Sequence, residues 1–369
     1  MKQRFIYLVF LVGIICQNPL FGQNRAHFED VRQGIEYIYN QQFDQATVII
    51  NKLESQLQGS AIPDLMKALK LYWMYNPIYL QKDRLAQYQN HLEKAFQRSE
   101  SVLKLDPGNP EAIFLAMAAQ GLLAESYAES GRSFKAVGAA KKAYNYIKMG
   151  RDKTDELKEF YLSTGLYNYY REYYPETFPI YKPFMSFFMK GDKQKGIQQL
   201  EKAAREASVS HVIAKYYLSY IYMRYEYVPT KALRQARNLY ETYPNNLPFS
   251  AIYLESLIIN QRYQEAQVVA KKLQRQNSPY LSIYGDLFMG VIYEKHLNRP
   301  QDAEAMYKKT IAMNDKHDME REYLMTLAYL GLGRLHQDKG DTKARSYFKE
   351  ALSRASTKQL KKEAKSYLN

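Results

Sequence analysis

The sequence predicts an all-α fold built from a repeated helix-turn-helix unit. Small residues recur along the chain, and the positions four and seven residues after each are mostly apolar or small, the spacing of one helix face. The last five are separated by 36, 34, 37 and 41 residues, a period typical of a helix pair that stacks on its neighbour. The anchor residues are Ala46, Ala95, Ala136, Gly196, Ala232, Ala266, Ala303 and Ala344. We therefore expect a solenoid of about eight units.

Residues 1–23 differ from the rest of the chain and are typical of a secretory signal peptide. Two basic residues precede an uninterrupted apolar run over 5–15, which Asn18 and Pro19 end. A helix of that length is too short to cross a bilayer core of about 30 Å. We expect cleavage near Gln23-Asn24, with an uncleaved membrane anchor as the alternative.

The expected mature chain is residues 24–369, and it contains no cysteine because the single cysteine, Cys16, lies in the leader. Disulfides and thiolate metal sites are therefore excluded. The leader predicts an exported protein of the periplasm or cell envelope, with no transmembrane segment once the signal is removed.

The clearest repeat unit lies near the end of the chain. Its first helix contains Gly333 and ends before Gly340, which accepts positive φ at little cost. Its second helix carries Ala344, Phe348 and Ala351 on one face. We expect the small residues to let the two helices approach closely, with the Phe348 ring filling the space beside them.

These residues resemble the tetratricopeptide repeat, in which small and aromatic residues alternate at set positions of a helix pair. An early unit holds the family spacing without a gap at Gly34, Tyr37, Phe43 and Ala46. The resemblance covers roughly 320 residues. It implies a right-handed superhelical solenoid of antiparallel helix pairs in one repeat domain over 24–369, and it is specific for fold rather than function.

The resemblance also implies that the concave surface of the solenoid comes mainly from the first helix of each pair. In the register set by Ala232, the strip is mixed and partly aromatic, as a peptide groove would be. It lacks the paired Lys and Asn with which some family members clamp a C-terminal carboxylate, so we do not expect a receptor of that kind. The candidate partner-binding residues, here called the inner strip, are Tyr217, Ile221, Arg224, Tyr225, Glu255, Leu287, Glu294, Arg334 and Gln337.

One departure from the period predicts an irregular insert at about 175–190. Sixty residues separate Ala136 from Gly196, and three prolines at intervals of four argue against a regular helix there. The insert is either a short helix that packs on the solenoid and ends at Gly191, or a lid or docking element over the groove. Its candidate docking residues are Phe178, Tyr181, Phe184 and Phe188.

The chain is basic, with a net charge of +14 at neutral pH. The excess concentrates in residues 132–153 and 339–369, and in both segments an apolar stripe accompanies the charges. We interpret the basic residues as the solvated sides of helices, with contact to anionic lipid, glycan or an acidic protein as the alternative. Nucleic acid is not expected as a partner of an exported protein.

Enzymatic chemistry finds little support in the sequence. It contains no G-x-S-x-G elbow, no phosphate-cradling Gly-Lys-Ser/Thr loop and no H-E-x-x-H. The cluster Asp315, His317, Asp318 and Glu320 is interpreted as a solvated turn before a helix rather than a metal site. We therefore expect no catalytic residue, metal or cofactor.

The expected function is that of a non-enzymatic scaffold or adaptor that binds a protein or peptide. The alternatives are an envelope protein that binds glycan or an anionic surface, and a hydrolase built on a helical scaffold. The sequence does not identify the partner.

Overall fold

The computed structural model describes residues 27–177, 179–317, 319 and 321–368, with the backbone alone described at 180, 181, 184 and 187. The leader lies outside the described residues, so the signal peptide and its cleavage stay predictions. Within the described ranges the regular secondary structure is helical throughout, and the expected all-α fold is confirmed.

Seventeen α-helices are found in these ranges, most of them 12 to 20 residues long. They are α1 Phe28–Tyr39, α2 Phe43–Gln56, α3 Ile62–Met74, α4 Lys82–Leu105, α5 Pro110–Glu129, α6 Ser133–Gly150, α7 Phe160–Thr177, α8 Lys193–Glu206, α9 His211–Tyr220, α10 Pro229–Thr242, α11 Leu247–Ile259, α12 Tyr263–Gln274, α13 Pro279–Lys295, α14 Pro300–Lys316, α15 Glu322–Asp338, α16 Lys343–Arg354 and α17 Lys358–Ser366. Short 3-10 helices span Ile78–Leu80 and Pro179–Phe187, and a π-helical turn spans Ile221–Tyr225.

The chain forms two compact units, here called unit 1 (Met1–Lys215) and unit 2 (Tyr216–Asn369), with the boundary inside α9. In unit 1, α1 to α6 pack in chain order, α7 packs on α8, and α3 also contacts α1 and α5. In unit 2, α10 to α17 pack in chain order, and α13 also contacts α11 and α15. This is the contact pattern of stacked helix pairs, as the periodicity predicts. The single domain over 24–369 stays a prediction.

Small residues allow backbones to meet, as the repeat pattern predicts. In unit 1, a Cβ atom added to Gly196 of α8 would lie 2.6 Å from the backbone nitrogen of Tyr169 and 2.8 Å from the carbonyl oxygen of Gly165, both on α7. At those distances a Cβ atom would overlap the backbone of α7, so one of the two helices would have to move. The absence of a side chain at Gly196 therefore allows the backbones of α7 and α8 to pack closely.

The last repeat shows the nested arrangement expected from its sequence. A Cβ atom at Gly333 would lie 2.4 Å from the ring of Phe348, so the aromatic side chain fills the space left by the glycine. Gly340 has a φ of +67° at the end of α15, which supports its role as the terminating residue. The Phe348 ring is buried and stacks on Tyr367, with ring centroids 4.3 Å apart.

Helix α17 caps unit 2. Its apolar side chains, Leu360 and Ala364, are buried in a cluster with residues of α15 and α16. Lys358, Lys362 and Lys365 are exposed on its other side. This agrees with the interpretation of the basic C-terminal segment as a capping helix with one solvated face.

In the part of the chain that the structure describes, no helix combines the length and the apolar character needed to cross a membrane.

Candidate functional site

The first charged residues of the inner strip pair with each other in unit 2. Arg224 lies on the π-helical turn after α9, and Glu255 lies on α11. Arg224 Nε donates to Glu255 Oε1 at 2.8 Å, and Nη2 donates to Oε2, which makes the contact bidentate. Because the Glu255 side chain is 1% exposed and that of Arg224 is 14% exposed, the pair is largely removed from water.

Two tyrosines enclose the Arg224 guanidinium. Its central carbon lies 3.8 Å from the ring centroid of Tyr323 on α15 and 4.5 Å from that of Tyr220. Burial opposes the charge, but the Glu255 carboxylate outweighs it and raises the pKa of Arg224 above its ordinary value. The arginine is therefore held charged inside unit 2.

A second charged group joins helices α13, α14, α15 and α17. Arg334 donates to both carboxylate oxygens of Glu294, at 2.7 and 3.0 Å, and to Glu363 at 3.3 Å. The hydroxyl of Tyr307 donates to Glu294 at 2.6 Å. Burial would raise the pKa of Glu294, but the hydrogen bond and charge of Arg334 lower it below its ordinary value. Glu294 is therefore held ionised.

The inner strip thus divides by exposure. Tyr217 is 7% exposed, and Ile221 and Leu287 are fully buried. Tyr225 is half-buried, and Gln337 at the end of α15 is exposed. The structure brings Arg224 to Glu255 and Glu294 to Arg334, and no contact here tests partner binding. As binding residues, all nine stay a prediction.

The partners of these charges, namely Tyr307, Tyr323 and Glu363, are not predicted from the sequence. The sequence nevertheless contains a pattern that indicates the charge pairs. Their members are 31 and 40 residues apart, which is about one repeat period. Opposite charges at corresponding positions of successive helix pairs therefore indicate a bridge between repeats.

The insert differs in part from its prediction. Helix α7 runs through Pro175 and ends at Thr177, so the α-helix continues into the start of the segment predicted to be irregular. Pro175 lies in the last turn of α7, so only the end of the helix is affected by the hydrogen bond that its missing N–H cannot make. Residues Pro179–Phe187 then form a 3-10 helix.

The docking residues of the insert are described only in part. Phe178 lies outside the described residues, and the side chains of Tyr181 and Phe184 are not described. Phe188 is 40% exposed, and its ring meets Tyr144 of α6 at 5.1 Å in an edge-to-face contact.

Hydrogen bonds attach the end of the insert to α6 and α7. The Met189 backbone nitrogen donates to the Tyr144 hydroxyl at 2.9 Å. The Met189 carbonyl oxygen accepts from the Tyr167 hydroxyl at 2.6 Å and from Arg171 Nε at 3.2 Å. This attachment is what the packed-helix interpretation expects, and a docking role stays a prediction.

A buried carboxylate bears on the hydrolase alternative. Glu125 of α5 is 5% exposed, and its Oε2 atom has no hydrogen-bond partner among the described residues. Burial raises its pKa well above the ordinary value, and nearby Glu129 raises it further. Neither the cavity of about 60 Å³ beside α7 nor that of about 430 Å³ beside α12 has these two glutamates in its lining.

Metal ligands were not expected from the sequence. The described residues contain no group of three or more His, Cys, Asp or Glu side chains arranged to hold an ion. Asp318 and Glu320 of the turn near residue 317 lie outside the described residues.

The sequence matches no family model and no curated protein. Among solved structures, the human IFIT1 dimer with m7Gppp-AAAA matches at 13% identity, covering 89% of this chain and 94% of that chain, with a TM-score of 0.38. The human IFIT1 dimer with PPP-AAAA matches at 14% identity, covering 94% and 98%, with a TM-score of 0.38. Yeast Tom70 matches at 13% identity, covering 94% and 96%, with a TM-score of 0.24.

Proposed function

We propose that this chain is a non-enzymatic helical-repeat scaffold that binds a protein or peptide partner after export to the periplasm or cell envelope. The support for export is the leader in residues 1–23. The support for binding is the arrangement of charges in unit 2.

The observation that carries the proposal is the pairing of charges between successive helix pairs. Arg224 with Glu255, and Arg334 with Glu294, join different helices through bidentate contacts before any partner binds. A partner that meets a surface already ordered in this way loses little conformational entropy on binding. Because these charged groups are hydrogen-bonded to each other, they are poorly suited to proton transfer or nucleophilic attack.

The accessible end of the inner strip is the proposed contact surface. Gln337 is exposed, and the Arg334 side chain keeps 16% of its surface accessible beside it on α15. The remaining strip residues would act by holding this surface in place.

The experiment is crosslinking in intact cells, followed by identification of the proteins joined to the chain and recovery assays with two variants. Gln337→Trp adds bulk at the proposed surface and should abolish recovery of the specific partner. Gln301→Trp adds the same bulk at an exposed position of α14 and should preserve it. Equal recovery with both variants would reject this surface, and recovery of no protein partner would reject the function. N-terminal sequencing of the exported chain tests processing, which should give a first residue near Asn24.

The second candidate function is binding to an anionic surface. The observation that favours it is the exposed row of Lys358, Lys362 and Lys365 on α17. Binding to anionic vesicles or cell-wall material should then fall steeply as salt rises, because exposed charges are screened. Replacing the three lysines by glutamine should remove that binding, and salt-independent binding would reject this candidate.

A further inference from the structure

A small polar cavity in unit 1 has no role in the proposed partner binding. It has a volume of about 60 Å³ and lies between the end of α6, the middle of α7 and the start of α8. The end of the insert, at Met189 and Lys190, completes its wall. The insert therefore does more than interrupt the repeat period, since it builds one side of a cavity.

The lining of this cavity is rich in cations. Arg151, Lys190 and Lys195 line it together with a single carboxylate, Asp152, which lies 3.5 Å from Arg151 Nε. Lys190 and Lys195 form no ion pair with any residue that the structure describes. The cavity therefore carries an excess of positive charge, which favours an anionic occupant.

Its size and its neutral groups fit a small oxoanion. One water-sized group needs about 10–15 Å³, so the cavity of about 60 Å³ has room for about four to six, enough for the four oxygens of a phosphate. Gln199 Oε1 accepts from Asn168 Nδ2 at 2.7 Å, which orients the Gln199 side chain in the lining and leaves its amide N–H groups as donors.

The wall that carries Lys190 is held in place. Met189 is bonded through its backbone to Tyr144 and Tyr167, and Arg151 Nη1 lies 3.0 Å from Met189 Sδ. The backbone nitrogen of Gly191 donates to Glu172 at 2.9 Å. The backbone of Lys190 therefore lies between two fixed residues, and its exposed side chain extends from that fixed point.

We propose that this cavity binds a tetrahedral oxoanion, the phosphate group of a small phosphate or of a phosphate ester. Lys190, Lys195 and Arg151 supply the positive charge, and the Gln199 amide supplies a neutral donor. This inference does not rest on the proposed partner binding, and its failure would leave that proposal intact.

The test is calorimetric titration of the full chain with inorganic phosphate at low and high ionic strength. The wild-type chain should bind, and the variant Lys190→Gln with Lys195→Gln should bind roughly tenfold or more weakly, because each lysine would supply a charge-assisted hydrogen bond. The variant Lys190→Arg with Lys195→Arg keeps both charges and should retain binding.

The matched control is Lys104→Gln with Lys141→Gln, which removes two exposed charges of unit 1 from outside the cavity lining. It should bind phosphate as the wild type does, and all variants should keep the wild-type melting temperature. Absence of phosphate binding by the wild type, or equal weakening in the cavity and control variants, would overturn the proposal.

Two further probes identify the source of the phosphate group. Glycerol 3-phosphate represents a soluble ester, and vesicles of phosphatidylcholine with and without phosphatidic acid represent a lipid headgroup. One of these probes should bind more tightly than inorganic phosphate and should lose binding in the cavity variant but not in the control variant. That probe identifies the class of ligand that the site binds.

Discussion

At the scale of single residues, opposite charges one repeat apart meet inside unit 2. Arg224 and Glu255 form a bidentate pair with one partner fully buried. Removing one member of a buried pair leaves the other charge without compensation, whereas exposed pairs contribute little. The stability of unit 2 should therefore depend strongly on Arg224.

We expect Arg224→Ala to lower the free energy of unfolding by about 3–5 kcal/mol, because Glu255 would remain buried without its partner. Adding Tyr217→Ala should lower it further, since Tyr217 is also buried. The double variant Arg224→Met with Glu255→Leu should recover much of the loss, since apolar residues can replace a buried pair. Urea denaturation measures each value.

The control for Arg224 is Arg299→Ala, whose partner Asp302 is exposed and whose loss should change stability by about 1 kcal/mol or less. If Arg224→Ala kept wild-type stability but lost partner binding, a direct contact role in the inner strip would replace the packing role.

The buried carboxylate of Glu125 predicts a pH dependence. Because burial raises its pKa in the folded chain, the stability that this group contributes is complete below the ordinary value of 4.5 and is lost as the pH rises. Glu125→Gln cannot ionise, so its stability relative to the wild type should increase from pH 4.5 upward. Thermal denaturation over a pH series measures the difference.

The matched substitution for Glu125 is Glu206→Gln, at an exposed position of α8. It should produce no comparable trend with pH. A constant difference between Glu125→Gln and the wild type at every pH would contradict the raised pKa.

At the scale of helices, a glycine at a close backbone contact differs from a glycine that faces solvent. A Cβ at Gly196 would meet the backbone of α7 at 2.6 Å, whereas one at Gly138 of α6 would meet no atom within 4 Å. The same substitution should therefore have opposite effects at the two positions.

We expect Gly196→Ala to lower the free energy of unfolding by roughly 1–3 kcal/mol, because two backbones must separate. Gly138→Ala should raise it by roughly 0.5–1 kcal/mol, because alanine loses less backbone entropy in a helix. The midpoint of chemical denaturation measures both. Changes of the same sign would show that the close contact of α7 and α8 does not control stability.

At the scale of the whole molecule, tryptophan fluorescence can follow the unfolding of unit 1 separately from that of unit 2. The only tryptophan of the sequence, Trp73, is buried in α3 of unit 1, whereas the capping helix α17 belongs to unit 2. In repeat arrays, each element is stabilised by its nearest neighbours, so damage at one end has its largest effect there.

We expect Leu360→Ala, which removes a buried side chain of α17, to cost roughly 2–5 kcal/mol in unit 2. Unfolding followed by circular dichroism should shift to lower denaturant, while unfolding followed by Trp73 fluorescence should shift less. Leu297→Ala, at a position that is 36% exposed, should shift neither by a comparable amount. Identical shifts in both signals would mean that the chain unfolds as one cooperative unit.

Some features of the site were readable in the sequence, and others were not. The resemblance to the repeat family, applied in the register of Ala232, assigns Arg224, Glu255, Glu294 and Arg334 to one strip, and this assignment stays a prediction. It did not show that these charges neutralise each other, because pairing depends on distances between side chains of different helices.

The sequence by itself determined the all-α class, the helix pairs and the nested contact of Gly333 with Phe348. These follow from local spacing, turn residues and side-chain size, which act within one or two helices. The tertiary structure alone decided the burial of Arg224 with Glu255, the attachment of the insert to α6 and α7, and the cavity that contains Lys190. These depend on which distant segments meet, and a one-dimensional pattern does not specify that geometry.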